Sequence, residues 1–160
     1  MKNAQVADVS VWSRLPGTLS WKEKIAYLGV QFQKSDLKAP KCLVDHLLGH
    51  GKYVRTIRIP AHTLFLGREH IRGHEVSLLV GSVILITPEG KKVMEAPITV
   101  HTVPGYHMVV YTLTDIEAQS VHANPGDALD AEALESAYFE PADKLYQLGL
   151  QVDERLRALT

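Results

Sequence analysis

The clearest hydrophobic period in the first third of the sequence is helical. Ser20 lies three residues before Glu23, and this Ser-x-x-Glu spacing is the capping box of a helix start. Apolar residues then recur three or four positions apart: Trp21, Ile25, Leu28 and Phe32. One such stripe predicts a helix over residues 20–33. Residues 1–19 have no clear period and contain the breaker pair Pro16-Gly17, so they predict an arm or loop.

From residue 52 the period changes from helical to alternating. Arg55, Ile57 and Ile59 alternate with the residues between them until Pro60, which predicts an edge strand. Further short apolar segments follow, separated by Pro, Gly or Thr-Asp breaks: 62–66, 76–79, 83–87, 92–94, 98–103, 107–113 and 116–122. Short strands with turn signals about every 8–12 residues are typical of a sandwich or barrel, and not of an α/β sheet.

After residue 123 the pattern is helical again. Asp127 and Asp130 are candidate N-caps for a helix that runs through Ala137, and Pro141 can open a second helix. One face of the second helix is apolar: Leu145, Leu148, Val152, Leu156 and Leu159. This face predicts packing against the outside of the barrel, with a seam between subunits as the alternative. We therefore expect an N-terminal arm and helix (1–51), a β-barrel (52–123) and a C-terminal helical extension (124–160).

Composition narrows the classes of protein. A chain of 160 residues is long enough for one domain with its own core. With 17 basic and 18 acidic side chains the net charge is −1, which argues against a surface for nucleic acid or anionic lipid. No run of about 18 apolar residues is present, and the first residues lack the apolar run of a secretory signal. Cys42 is the single cysteine, which suits a reducing compartment. We expect a cytoplasmic protein.

Histidine is the residue type that stands out, because five of the eight lie between His62 and His107. Alternate residues of a strand share a face. His74 is in phase with the apolar residues of segment 76–79, and His122 is in phase with the less polar face of segment 116–122. By the same argument His70 shares a face with Leu64 and Leu66, and His107 opens the preceding strand. A single inward histidine is more often a hydrogen-bonded core residue, but several neutral imidazoles that converge in one barrel favour a site for a transition metal.

The chain resembles the cupin superfamily. The resemblance rests on Gly67, His70, His74 and Gly81, followed by the Pro104-Gly105 turn. It is closest to small cupin-like proteins common in bacteriophage genomes, through Asp45-His46 and the segment 51–61 (GKYVRTIRIPA). It continues through segment 95–97 and the strand end at Val121-His122, and covers residues 42 to 135. The resemblance implies a single jelly-roll barrel, mainly β, with an N-terminal helix and C-terminal helices.

The family pattern also implies a set of metal ligands, which this chain matches in part. Arg68 stands where the first His of the family's His-x-His pair is expected. His70 matches the second His, and His74 falls at the position of the family's Glu. Met108 occupies the late His position, with His107 one residue early. The last strand of a jelly roll lies beside the strand that carries His74, so His122 is the expected third ligand and His107 is the substitute.

Two polar residues near these histidines are candidates for ligand binding. Arg68 could hold a carboxylate with its planar guanidinium, although an exposed loop arginine is equally consistent with its position. Tyr106 could line the cavity. Glu69 and Glu75 lie out of phase with the histidines and are expected in solvent.

Two functions follow as hypotheses. The first is a metal-binding cupin, an oxygenase or isomerase of a small molecule, which holds a divalent Fe, Zn, Mn or Ni ion at the barrel mouth. The second is a non-catalytic phage-type protein, a virion component or accessory factor in the host cytoplasm, that uses the barrel as an oligomeric scaffold. We expect a small-molecule ligand and a homo-oligomer, without nucleic acid or membrane as a partner.

Overall fold

The computed structural model describes residues 3–160, which contain ten strands and four helices. The strands are β1 Ala4–Gln5, β2 Leu43–Gly49, β3 Lys52–Ile59, β4 Thr63–Glu69, β5 Glu75–Val80, β6 Ser82–Thr87, β7 Gly90–Glu95, β8 Ile98–His101, β9 His107–Thr112 and β10 Ile116–Ala123. The helices are α1 Ser10–Ser13, α2 Trp21–Lys34, α3 Ala131–Tyr138 and α4 Ala142–Ala158.

Strand order identifies the architecture as a jelly roll. One antiparallel sheet has the order β1-β4-β9-β6-β7, and the other has the order β2-β3-β10-β5-β8. Without the additional strands β1 and β2, the eight strands β3 to β10 form two four-stranded sheets that exchange strands as two interlocked Greek keys. The predicted fold class is confirmed: a mainly β, jelly-roll barrel with N-terminal and C-terminal helices. No helix among the described residues is long and apolar enough to span a membrane.

The capping signals of the sequence set the helix boundaries. The Ser20 side chain accepts a hydrogen bond from the Glu23 backbone N–H, and the Glu23 carboxylate accepts one from the Ser20 N–H, as the capping box predicts. The Asp130 carboxylate accepts from the backbone N–H groups of Glu132 and Ala133 at the start of α3. Pro141 directly precedes α4. All three helix starts lie where the sequence predicts them.

Two apolar clusters hold the fold together. The outer cluster joins α2 and α4 to the outer face of the β4-containing sheet, and its buried members include Ile25, Phe32, Leu64, Val109 and Leu145. The inner cluster lies between the two sheets. α4 therefore packs on the outside of the barrel, as its apolar face predicts. Leu159, at the end of that face, is 79% exposed, and a contact with a second subunit stays a prediction.

The sequence interpretation differs from the structure mainly in the sheet that contains β2 and β3. The prediction that β3 is an edge strand was wrong, because β3 pairs with β10 on one side and with β2 on the other. Pro60 follows the last residue of β3, so its missing N–H interrupts no pair in the ladder. The residues before β3, assigned to the arm, contain β2, which belongs to the sheet. Residues 1–19 also include β1 and α1 within their described part.

Candidate metal centre

Three of the predicted histidines converge at one end of the barrel. The ring centroids of His70 and His74 lie 4.4 Å apart, and those of His74 and His122 lie 4.1 Å apart. β5 and β10 are adjacent, with Val76 paired to Ser120, and this register places His74 and His122 side by side. The same-face arguments for His74 and His122 therefore predict their convergence correctly.

His70 reaches the cluster by a route that strand parity did not predict. Leu64 and Leu66 belong to the outer cluster, whereas Phe65 packs in the inner cluster, so the same-face assignment for His70 was wrong. The pairing of β4 with β9 shifts register between Leu66 and Glu69. Beyond that shift, His70 leaves the strand and forms an isolated bridge with Phe139. An irregularity of this kind turns a side chain to the other face of the sheet.

The buried imidazoles have ring nitrogens without hydrogen-bond partners. His70 is 5% exposed and His122 is 1% exposed, and Nδ1 of each ring is buried without a partner among the described residues. The Nε2 of His122 lies 3.1 Å from the Ser120 hydroxyl oxygen. His74 makes only long contacts through Nδ1, 3.4 Å from the Arg72 carbonyl and 3.4 Å from the Thr102 hydroxyl. Unpaired buried nitrogens are costly unless a ligand or metal satisfies them.

Burial keeps these imidazoles in the neutral form. It lowers the pKa of His70 to about 3, with smaller contributions from His74 and His107. It also lowers the pKa of His122 to about 3, aided by His74 and by the positive charge of Arg55. The pKa of His74 is lowered by burial as well. Neutral imidazole is the form that ligates a transition metal, so no proton has to be displaced at neutral pH.

The three imidazoles are ligands that a transition metal accepts, but their ring nitrogens are not oriented toward a common point in the structure. No group of three His, Cys, Asp or Glu side chains within residues 3–160 is arranged to hold an ion. Three neutral imidazoles, two of them with a buried nitrogen lacking a partner, supply the ligand type that Zn, Fe or Ni accepts. Ligation therefore requires the rings to turn from their orientations in the structure.

His107 lies near the cluster but in a different setting. It pairs with Glu69 across β9 and β4, and its Nδ1 donates a hydrogen bond to the Gly67 carbonyl oxygen at 3.1 Å. Its Nε2 is buried and lies 3.8 Å from the Glu69 carboxylate, which also bonds Lys22 at 3.1 Å. Met108 packs in the inner cluster, and both His107 and Met108 line the cavity. Glu69, expected in solvent, is instead a partner of His107 and Lys22.

A cavity of about 570 Å³ opens beside the histidines. Its walls are mainly apolar side chains of both sheets: Ile57, Phe65, Val76, Leu78, Val100, Met108 and Val110. The polar residues that line it include His70, His74 and Ser120. A volume of this size accommodates a small organic molecule.

The two predicted ligand-binding residues lie at the same end of the barrel. Arg68 lines the cavity, its Nε donates to the Glu140 carbonyl oxygen at 3.2 Å, and its guanidinium lies 5.3 Å from the centre of the Phe139 ring. Tyr106 contacts His70 with ring centroids 5.6 Å apart. Burial raises the pKa of the Tyr106 phenol.

Sequence reasoning missed the aromatic residues that cover the cluster. Phe139 lies 5.3 Å from the His70 ring and 5.8 Å from that of His122, and Tyr138 lies 4.5 Å from His122. The backbone of this segment is tied down, since Ile71 N–H donates to the Tyr138 carbonyl at 2.7 Å. No period in the C-terminal sequence points toward the barrel mouth, so no sequence signal could have found this cover.

Sequence reasoning also missed Tyr53 as a neighbour of the histidine cluster, although the pairing of β3 with β10 places it opposite His122. It is the direct partner of His122 across β3 and β10, and the two rings stack with centroids 5.2 Å apart. Its hydroxyl lies 2.7 Å from Nδ1 of His46 on the neighbouring strand β2. Burial is the main cause that raises the Tyr53 pKa to about 12.

No family model matches the sequence, and no curated protein matches it. Among solved structures, the chain is similar to an acetylacetone dioxygenase from Acinetobacter johnsonii, at 15% identity and a TM-score of 0.44 over 51% of this chain and 59% of that one. It is similar to a cupin domain from Bordetella pertussis Tohama I, at 18% identity and a TM-score of 0.41 over 54% of this chain and 97% of the domain.

A third similar structure is an RmlC-like cupin family protein with a double-stranded β-helix fold, from Methanocaldococcus jannaschii. It has 14% identity and a TM-score of 0.45 over 56% of this chain and 84% of that one. Two of these three neighbours are described as cupins. The strand order of this chain itself identifies the jelly roll.

Proposed function

We propose that this chain is a cupin-type metalloprotein, in which His70, His74 and His122 hold a divalent transition metal at the end of a small-molecule cavity. The observation that carries the proposal is the pair of buried, unpartnered Nδ1 atoms on His70 and His122, with His74 between the two rings. Fe, Zn, Mn and Ni are the candidate ions, because imidazole and water ligands suit each of them.

The surrounding residues support such a centre. The Ser120 hydroxyl contacts Nε2 of His122, which leaves Nδ1 as the nitrogen free for another partner. Phe139 packs against all three rings and limits access of water from that side. An ion bound there would act as a Lewis acid toward an oxygen of the bound molecule.

The reaction class proposed is an oxygenase or isomerase activity on a small molecule, as the cupin resemblance implies. The apolar cavity beside the histidines favours a ligand with an organic body over a bare anion. Arg68 and Tyr106 are proposed to contact that ligand, since Arg68 lines the cavity and Tyr106 touches His70.

Metal analysis of untagged protein tests the proposal. Near-stoichiometric transition metal is expected in the unmodified chain. His74→Ala should lower metal affinity by more than the roughly 10- to 100-fold that loss of a supporting residue costs. His101→Ala is the matched control, because the His101 side chain is 74% exposed and lies beside the Glu75 carboxylate, 3.8 Å away.

Two results would overturn the proposal. One is metal content that stays unchanged in His70→Ala, His74→Ala and His122→Ala. The other is a folded, unmodified chain that takes up no transition metal on titration, which would leave the scaffold function as the better hypothesis. Loss of metal in His107→Asn with retention in His122→Asn would move the third ligand to His107.

A further inference from the structure

Arg55 places a positive charge inside the barrel. It shares the inner face of β3 with Ile57 and Ile59, and all three line the cavity. Its side chain is 24% exposed. Arg58, three residues along the same strand, has the opposite orientation and bonds Asp45 and Glu117 on the outer face. The alternation of β3 therefore gives one arginine to each side of the sheet.

Most hydrogen-bond donors of the Arg55 guanidinium have no protein acceptor among the described residues. Its Nε donates to the Glu135 carboxylate at 3.2 Å. Throughout the part of the chain that the structure describes, no protein acceptor bonds either of its terminal nitrogens, which carry four of the five guanidinium N–H donors. Glu135 is held in turn by the Tyr53 hydroxyl at 3.4 Å, so the carboxylate fixes the Nε edge of the arginine.

Arg55 lies in the same cavity as the histidine cluster, because Arg55, His70 and His74 all line it. Part of the cavity wall is apolar, with Ile57 on β3 itself and Val76 and Leu78 on β5 of the same sheet. The cavity thus offers the Arg55 guanidinium together with an apolar wall, and its remaining polar lining includes His70, His74 and Ser120.

We infer that the cavity binds a compact apolar monocarboxylate, with its carboxylate on the terminal nitrogens of Arg55 and its hydrocarbon body along the apolar wall. A planar guanidinium pairs with a carboxylate through two parallel hydrogen bonds, which a neutral or cationic head group cannot reproduce. The inference deepens the proposed function by naming the ligand class, and Arg55 replaces Arg68 as the main anchor. Arg68, like Arg55, donates its Nε to a protein acceptor, but its guanidinium lies against the Phe139 ring, 5.3 Å from the ring centre.

Calorimetric titration of metal-free protein with three probes of equal chain length tests the head-group requirement. Hexanoate should bind, whereas hexan-1-ol and hexylamine should bind much more weakly or not at all. Equal affinity for hexanoate and hexan-1-ol, or no binding of hexanoate, would overturn the inference. The metal-free form removes the ion as an alternative anchor for the carboxylate.

Substitution of the arginine tests the anchor itself. Arg55→Met should weaken hexanoate binding on the order of 10- to 100-fold, the range of hydrogen bonds to charged groups. Arg58→Met is the matched control, since it removes the same charge from the outer face of the same strand, and its affinity should equal that of the unmodified chain. Unchanged hexanoate affinity in Arg55→Met would refute the assignment.

Two further measurements keep folding and metal binding apart from ligand binding. Arg55→Met leaves the Glu135 carboxylate without its ion-pair partner. The double variant Arg55→Met/Glu135→Gln removes that unpaired negative charge, and it should show the same loss of hexanoate affinity in a folded protein. Metal content in Arg55→Met should be unchanged, because Arg55 is not a proposed ligand. An unmodified, folded chain that takes up no transition metal but still binds hexanoate would contradict the proposed function and leave the carboxylate site standing.

Discussion

Acidification should destabilise the metal-free protein through its buried histidines. The perturbation is a change from pH 7 to pH 5. In the folded chain His70 and His122 have a pKa of about 3, whereas an unfolded chain has the ordinary histidine pKa of about 6.5. Between these values the unfolded state binds more protons than the folded state. Stability therefore rises with pH through this window and falls on acidification.

The magnitude follows from the two pKa values. For one site that moves from about 6.5 to about 3, lowering the pH from 7 to 5 costs about 2 kcal/mol. The two histidines together cost about 4 kcal/mol, a large part of the roughly 5–15 kcal/mol that stabilises a typical domain. His74 and His107 act in the same direction, because burial lowers their pKa as well. Acidic side chains titrate mainly below pH 5, so this window isolates the histidines.

Urea unfolding of the metal-free chain at pH 7 and pH 5 measures this effect. The unfolding free energy should fall by at least about 4 kcal/mol, and His122→Gln should remove about 2 kcal/mol of the difference. His101→Gln, at an exposed position, should leave the difference unchanged. An unfolding free energy that is the same at both pH values would refute the argument, and so would an unaltered pH dependence in His122→Gln.

Two further substitutions test how the helices support the site. Gly149→Ala should destabilise the chain by about 1–3 kcal/mol in urea unfolding, because a Cβ would press on the Ala26 carbonyl and lie 2.5 Å from Val30 Cγ2. Gly17→Ala is the control, because a Cβ at Gly17 would meet no atom within 4 Å. Equal stability of the two variants would contradict the close contact between α2 and α4. Asp130→Ala should lower the free energy of unfolding by about 1 kcal/mol, because it removes the N-cap of α3. It should also speed amide hydrogen exchange over residues 131–141. Unaltered exchange in this segment would show that the cap is not required.

Most of the fold was open to prediction because its signals are local. Alternation set the positions of the strands, and the pairs at Ser20 and Asp130 set helix starts, since a cap is satisfied by the residues next to it. Strand pairing is not local. Pro60 suggested an edge, but a proline that follows the last residue of a strand leaves both sides of that strand free to pair.

The same distinction explains which residues of the candidate metal centre the sequence could predict. His74 and His122 lie on regular strands, so parity alone brings them to one face. His70 follows a register shift that the sequence of β4 does not reveal. Strand parity counted from Leu66 therefore identified His70 as a site residue but assigned its side chain to the wrong face of the sheet. The departure from ideal pairing is itself informative, because a regular β4 would point His70 toward the helices. The irregular edge of that strand is what allows a third imidazole to join the other two, and a substitution that restores regular pairing there should separate His70 from His74.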